Sequence, residues 1–422
     1  MSSIEIIGGE QLKGELKIQG SKNAALPIIA ATILNKGITV LKNCPKILDV
    51  YHMVNILEEL GCTITWEQNT LIVNSMKASV SYVPIDYVTK MRSSVLFLGA
   101  ILGRFSQVTI AYPGGCSIGK RPINFHLDAI KKMNVTQEFM GENEDIIHCY
   151  TDKIIGNDIF FERSTVGATQ NVILTATLSE GVTKIYNAAK EPEVVELCRY
   201  LNQAGAKIRG EGTSYIEIEG VKNLHDVEFT LSSDRIVAGT YMAAVAATQG
   251  DVILQRAPVS HLEAVIKSLL RMGCCVKVDG DTIRVISHER TKAINIITEP
   301  YPAFPTDMQS QFMSILCVAQ GASIIVENIF ESRFQNMSDL SKMGANIQID
   351  DTGKIVQIVG TDSLKGAEMN AHDLRGGAAL IIAALAAEGT SIIHGTDYIE
   401  RGYEDIGRDF KAIGAKIKYH CG

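Results

Sequence analysis

A cysteine in a polar, glycine-rich loop beside two cations has the makings of a reactive group. The segment YPGGCSIGKRPINFH, from Tyr112 to His126, sets Cys116 among three glycines and two prolines, with Lys120 and Arg121 close behind. Glycine and proline at that density mark an irregular segment. Nearby positive charge favours thiolate over thiol and suits a nucleophile or an acid–base group. Cys62, Cys198, Cys274 and Cys317 stand in apolar surroundings and read as small core residues. A second candidate is Asp307, in AFPTDMQSQF. Following Pro305 and Thr306 at a helix start, it reads first as an N-cap, because a carboxylate there accepts free backbone N–H groups. In a cationic setting the same carboxylate could act as a general base toward a hydroxyl. His126 and His372 lie beside apolar runs and read as structural, so neither is assigned a proton-transfer role.

Anion binding is the other chemistry suggested. Unusual residues mark the starts of six helices: Lys22-Asn23, Arg92, Thr165-Val166-Gly167, Asp234-Arg235, Asp307 and Asp373-Arg375. Helix amino termini present unpaired N–H groups and the positive end of the dipole. Each cation taken singly reads as a solvent-facing side chain. If Lys22, Arg92, Arg121, Arg333 and Arg401 met in a cleft between domains, they would suit several phosphates or carboxylates.

What positions these residues is an internal repeat. A helical tail, a glycine and a short strand recur as LEELGCTI (Gly61), LNQAGAKI (Gly205), LLRMGCCV (Gly273), LSKMGANI (Gly344) and FKAIGAKI (Gly414), with Asn134 in the sixth copy. The spacings are 73, 71, 68, 71 and 70 residues. Glycine, and next asparagine, accommodates the left-handed conformation just past a helix end. Earlier in each unit an Ala-rich apolar helix runs through a turn into a strand, with the turn at Gly37, Gly103, Gly181, Gly250, Gly321 and Gly389. Each unit therefore reads as helix, strand, loop, helix, strand, strand. Three such units can bury a common core, so the chain reads as two α/β domains of three units. The expected division is residues 21–232, and residues 1–20 with 233–422. The scaffold repeats while the loops diverge, as expected where loops carry chemistry.

Composition narrows the class. The 422 residues are 46% hydrophobic and 21% charged, with a net charge of −7, which disfavours a nucleic-acid platform. The longest apolar run, Gly376 to Ala387, is too short to span a membrane and reads as a buried helix. The alternating amino terminus lacks the apolar core of a signal peptide. Nine scattered cysteines with no C-x-x-C pair disfavour a disulfide framework and a structural zinc site. A cytoplasmic protein with reduced thiols, no metal and no cofactor is expected.

The chain resembles the UDP-N-acetylglucosamine enolpyruvyl transferase family over essentially its whole length. The resemblance rests on GSKNAALP (Gly20 to Pro27), PGGCSIGKRP (Pro113 to Pro122), STVGATQN (Ser164 to Asn171), NAAKEPEV (Asn187 to Val194) and FPTDMQSQF (Phe304 to Phe312). ESRF (Glu331 to Phe334), DLR (Asp373 to Arg375) and ERGYE (Glu400 to Glu404) follow in order. The cysteine loop is its most specific element. The resemblance implies an inside-out α/β barrel, two domains each of three βαβαββ units, with the active site in the interdomain cleft. It also implies transfer of the enolpyruvyl group of phosphoenolpyruvate to the 3-hydroxyl of UDP-N-acetylglucosamine, opening peptidoglycan precursor synthesis. On that basis Cys116 is the acid toward the methylene carbon and Asp307 takes the hydroxyl proton. Lys22, Asn23, Arg121 and Arg401 hold phosphoenolpyruvate.

The nucleotide sugar falls to Asn23, Arg92, Arg121, Pro122, Ile123, Asn124, Phe125, Arg163, Thr165, Val166, Gly167, Asp307 and Ile329. Arg333, Asp373 and Arg375 line the cationic cleft. Asn124 stands where that family often has an acid, and Arg163 where it commonly has lysine. Two other readings remain open: a shikimate-pathway enolpyruvyl transferase, which lacks such a cysteine loop, and a catalytically silent nucleotide-sugar-binding paralogue. If Cys116 is the acid, Cys116→Ser loses most turnover yet still folds and binds UDP-N-acetylglucosamine. Mass mapping after treatment with an epoxide phosphonate of the fosfomycin type, with the nucleotide sugar present, finds the label on Cys116 and on no other cysteine.

Overall fold

A computed structural model of the chain describes residues 2–114, 122–142 and 145–420, so Cys116, Lys120 and Arg121 lie outside the described residues. The chain divides into two compact units, between Gln19 and Gly20 and again between Ser232 and Ser233. Each unit has its own hydrophobic core.

The unit that begins at Gly20 carries three four-stranded sheets. Their strand orders are Val227–Thr230, Ile38–Lys42, Thr70–Asn74, Thr63–Glu67; Tyr82–Val83, Gln107–Ala111, Ile146–Tyr150, Thr136–Met140; and Asp158–Phe160, Val182–Tyr186, Tyr215–Glu219, Lys207–Arg209. In each sheet the first pair is parallel and the other two are antiparallel. The last strand of the unit thus completes its first sheet. Strands such as Val182–Tyr186 alternate between buried and more exposed residues, as expected of a sheet with one wet face.

The other unit repeats this plan using the amino terminus. Lys13–Lys17 pairs parallel with Asp251–Gln255, and Ser3–Ile7 lies between Thr390–His394 and the carboxy-terminal strand Lys416–His420. A third sheet is built on Ala322–Glu327. Both units are inside-out, because their helices at Lys22–Ala31, Leu96–Phe105, Val166–Ala176, Arg235–Ala247, Gln309–Val318 and Leu374–Ala386 are buried over most of their length. A helix covered all round must be apolar all round, which explains runs such as AALIIAALA. The flanking helices are amphipathic, for example Pro192–Gln203 and Glu263–Arg271. Among the described residues no helix is long and apolar enough to cross a membrane.

The repeat glycines behave as their position requires. Gly61, Gly205, Gly273, Gly344 and Gly414 have φ between +90° and +104°, and Asn134 has +67°. The turn expected at Gly103 is displaced: Gly103 lies inside the helix, and Ser106 takes the left-handed position at φ +59°. Glycine serves close helix packing there instead, since a Cβ would stand 2.9 Å from the Leu174 carbonyl oxygen. Gly99, one turn earlier, is tighter still. Its N–H donates to Asn171 Oδ1 at 2.7 Å, and a Cβ would stand 2.5 Å from the Asn171 carbonyl oxygen. Gly99→Ala should therefore force the two helices apart at a cost of about 1–3 kcal/mol, read as a lower thermal unfolding midpoint.

Candidate active site

The side chains with chemical potential gather at the starts of the buried helices, where local rules disfavour several of them. None of those six helices has an acidic residue in its first turn. Lys22 and Arg235 are first residues and Arg375 a second, so cations sit at the positive end of a dipole, all nearly buried. Such placement persists only with compensation.

In the unit containing residues 233–420, the compensation for Arg375 is Asp307. Arg333 Nη2 donates to Asp307 Oδ1 at 2.6 Å and Arg375 Nη2 to Oδ2 at 3.0 Å. The arginine side chains are 3% and 5% exposed, while the Asp307 side chain keeps 26%. Burial would raise this carboxyl, but the fields of Arg375, Arg333 and Arg235 outweigh it and hold the group well below the usual carboxylate range. The expected capping role is not what the structure shows: neither Thr306–Met308 nor Gln309–Val318 is capped by a side chain. The caps belong to Asp234, which accepts from Ile236 and Val237, and to Asp373, which accepts from Arg375 and Gly376. Arg333 is braced by Nε and Nη2 donating to the Thr306 carbonyl. Buried Glu327 accepts from the N–H groups of Ile329 and Phe330 and from Thr306 Oγ1, tying the Ile329 turn to the residue before Asp307. Arg401 is half-buried at the end of the helix Thr396–Glu400. Its loop is clamped by Gln19, which donates to the Gly402 carbonyl and accepts from Glu404 N–H.

The unit containing residues 20–232 compensates Lys22 with Asp49, whose carboxylate is 2.7 Å from Nζ with side chains 10% and 2% exposed. Asn23 donates to Glu193 at 3.3 Å. Arg92 is half-buried at the head of the turn that enters Leu96–Phe105. Thr165, Val166 and Gly167 form the half-buried start of Val166–Ala176. His126 packs against Gly167 and bonds through Nδ1 to Asn171 Nδ2 at 2.7 Å. Because Asn171 Oδ1 already accepts from Gly99, Nδ2 is the donor and His126 carries its proton on Nε2. The exposed Arg163 lies 5.3 Å above the Phe125 ring, which meets Phe161 edge-on. Pro122 and Asn124 are exposed, whereas the Ile123 side chain is fully buried and leaves only its backbone for a ligand. A recess of about 480 Å³ beside Phe125 is bounded by Lys131, Lys132, Phe160 and Phe161.

Most of the other thiols are quenched. Burial pushes Cys62, Cys149 and Cys317 up to about 12, and among the described cysteines only Cys275 is exposed. Among the described residues no group of His, Cys, Asp and Glu is arranged to hold a metal ion.

Residues 6–410 match the family described as EPSP synthase (3-phosphoshikimate 1-carboxyvinyltransferase). The chain is 45% identical over 418 residues to a protein of Caldanaerobacter subterraneus subsp. tengcongensis named UDP-N-acetylglucosamine 1-carboxyvinyltransferase 2, with 99% of each chain covered. It is 44% identical, again over 99% of each chain, to UDP-N-acetylglucosamine 1-carboxyvinyltransferase of Finegoldia magna. The chain belongs to the UDP-N-acetylglucosamine 1-carboxyvinyltransferase family. Its fold is that of the enolpyruvyl transferase NikO from Streptomyces tendae, with TM-score 0.88 at 22% identity over 99% of this chain and 98% of that one. EPSP synthase from Acinetobacter baumannii follows with TM-score 0.76 at 19% identity over 100% of both chains.

Within this carboxyvinyltransferase, sequence reasoning missed Asp49, Gln19 and Glu327. Asp49 was signalled faintly as an acid in the first turn of Leu48–Glu59. The Asp307 geometry has a thermodynamic consequence. A carboxyl depressed in the fold stabilises it fully above its unfolded value, about 3.9, and that contribution is lost as pH falls through the folded value. Asp307→Asn leaves Arg333 and Arg375 without their shared counter-charge, a loss of about 3 kcal/mol near neutral pH. Denaturant unfolding of the two proteins should show that gap at pH 7 and a narrowing of it as pH falls below about 4.

Proposed function

We infer that this chain transfers the enolpyruvyl group of phosphoenolpyruvate to the 3-hydroxyl of UDP-N-acetylglucosamine with release of phosphate, the first committed step of peptidoglycan precursor synthesis. The relatives' names indicate the sugar nucleotide and the carboxyvinyl group. The observation that carries the reading is Asp307: a carboxylate released from capping, kept ionised by buried arginines, and still partly exposed.

In the addition step, phosphoenolpyruvate C3 gains a proton, which the family resemblance assigns to Cys116, and C2 becomes electrophilic. The sugar 3-oxygen bonds to C2 while its proton passes to Asp307. In the elimination step the tetrahedral ketal loses a proton from C3 and phosphate from C2, restoring the double bond on the product. A carboxylate with so low a proton affinity is a weak base toward a resting hydroxyl. It accepts the proton only as the new C–O bond makes that hydroxyl acidic, so proton transfer and bond formation run together. Lys22, Arg121 and Arg401 balance the negative charge of phosphoenolpyruvate, with Arg92 and Arg333 in the cationic lining. Asn23, Pro122, Asn124, Phe125, Arg163 and the helix start at Thr165, Val166 and Gly167 serve the nucleotide sugar. Arg163 keeps a cation for phosphate, and the Phe125 ring beneath it offers an apolar face for the base.

Phosphate release measured with each acceptor tests the reading. Turnover is expected with UDP-N-acetylglucosamine and none with shikimate 3-phosphate; the reverse pattern would overturn it.

A further inference from the structure

The two arginines that grip Asp307 are braced differently. Arg333 is held from behind by the Thr306 carbonyl. Arg375 holds the carboxylate through Nη2, while its Nη1 is buried and makes no hydrogen bond among the described residues. A guanidinium anchored at one nitrogen can swing about that contact unless something else fixes its plane. The phenol of Tyr403, 1% exposed, acts electrostatically on the Arg375 guanidinium without forming a hydrogen bond of ordinary geometry to Nη1.

The orientation of that phenol follows from proton counting. The hydroxyl of Thr240, fully buried on the helix Arg235–Ala247, donates its one proton to the Ile236 carbonyl at 2.8 Å. Its oxygen can then only accept, and it does so from Gln311 Nε2 at 3.2 Å and from Tyr403 at 2.8 Å. The Tyr403 proton is therefore committed to Thr240. Its oxygen lone pairs are left for Arg375. Gln19 clamps the backbone on either side of Tyr403, at Gly402 and Glu404, so the ring does not drift along its loop. Arg375 is faced by Asp307, Tyr403 and Asp234, and Asp307 by Arg375, Arg333 and Arg235.

We propose that Tyr403 is a positioning residue for the transfer reaction: anchored on Thr240, its phenol oxygen fixes the plane of Arg375, and Arg375 fixes where the Asp307 carboxylate stands. This rests on the reading of Asp307 as the proton acceptor. The chain of contacts runs from the core outward, Gln311 and Thr240 to Tyr403 to Arg375 to Asp307, and only its last member faces solvent appreciably.

The test is steady-state kinetics on Tyr403→Phe, which keeps the ring and removes the oxygen. The expected result is a kcat lowered about tenfold with KM for both substrates within about twofold, since removing an interaction that acts only in the transition state lowers kcat alone. Thr240→Val, which takes away the anchor, should reproduce that split. In an Arg375→Lys background, which has no planar fork to hold, Tyr403→Phe should cost less than about twofold more, because residues acting in series are not additive. An unchanged kcat in Tyr403→Phe overturns the proposal. So does a full tenfold loss in the Arg375→Lys background, or a raised KM with kcat intact. Asp307→Asn measured alongside separates the two failures. A normal rate there overturns the reading of Asp307 itself, whereas a dead Asp307→Asn beside a normal Tyr403→Phe overturns only the role of Tyr403.

Discussion

A carboxylate held between two buried guanidiniums sets the terms for the unit around it. Asp307, Arg333 and Arg375 come from three different stretches of chain, and each is acceptable where it is only because the others are there. An arginine nearly sealed from water at the positive end of a helix is costly twice over, in lost hydration and in repulsion from the dipole. Asp307 relieves both costs, and its carboxylate is turned to the arginines while its own helix start has no side-chain cap. The same bargain is struck between Lys22 and Asp49 in the other unit. Positive charge is thereby concentrated at helix starts, the end of a helix where anions such as phosphate and carboxylate bind well.

Holding such groups still calls for rigid supports, and the inside-out plan supplies them. Buried helices with small residues at their crossings, such as Gly99 and Gly103 against Asn171 and Leu174, let backbones approach closely. Sheets outside them close each core against water. Each unit also ties together its own two ends of chain, Ser21 N–H to the Ser232 carbonyl in one and Asp234 N–H to the Gln19 carbonyl in the other. Buried Glu196 adds to this by accepting from Ser232 N–H and hydroxyl. Glu196 is pushed up by burial and by Glu193 and pulled down by those Ser232 bonds and by Arg199; burial wins and its net shift is upward, whereas at Asp307 the arginines win.

Much of the scaffold was legible in the sequence because its signals are local. A left-handed residue after a helix demands glycine or asparagine at that one position, and six copies at near-constant spacing can be counted without knowing any contact. Gly103 misled because glycine answers two needs, a turn and a close helix approach, and only the packing of Leu174 against it tells them apart. Asp307 misled more instructively. An aspartate after Pro-Thr at a helix start has the same local signature whether it caps or pairs with charge. The partners that decide the matter lie 26 and 68 residues away. Gln19 and Glu327 were missed for a similar reason, since neither carries a motif of its own and each reaches a residue far along the chain, and Asp49 showed only as a first-turn acid with nothing local to name Lys22 as its partner.

The local violations were the better guide. Lysine or arginine opening an apolar helix contradicts the dipole rule, and such contradictions persist in folded proteins where function requires them. Lys22, Arg235 and Arg375 all break that rule, and Asp307 leaves a helix start uncapped. Charge that is expensive to bury and unhelpful to its own helix has to be useful to something else. For a reaction that moves a phosphate and a carboxylate on a three-carbon skeleton, buried fixed cations are more effective than solvated ones, because their field is weakly screened and their positions are set before the substrate arrives. Under the proposed function, the stability given up at each helix start is recovered as preorganised electrostatics in the transition state, with the partly exposed Asp307 as the anion among those cations.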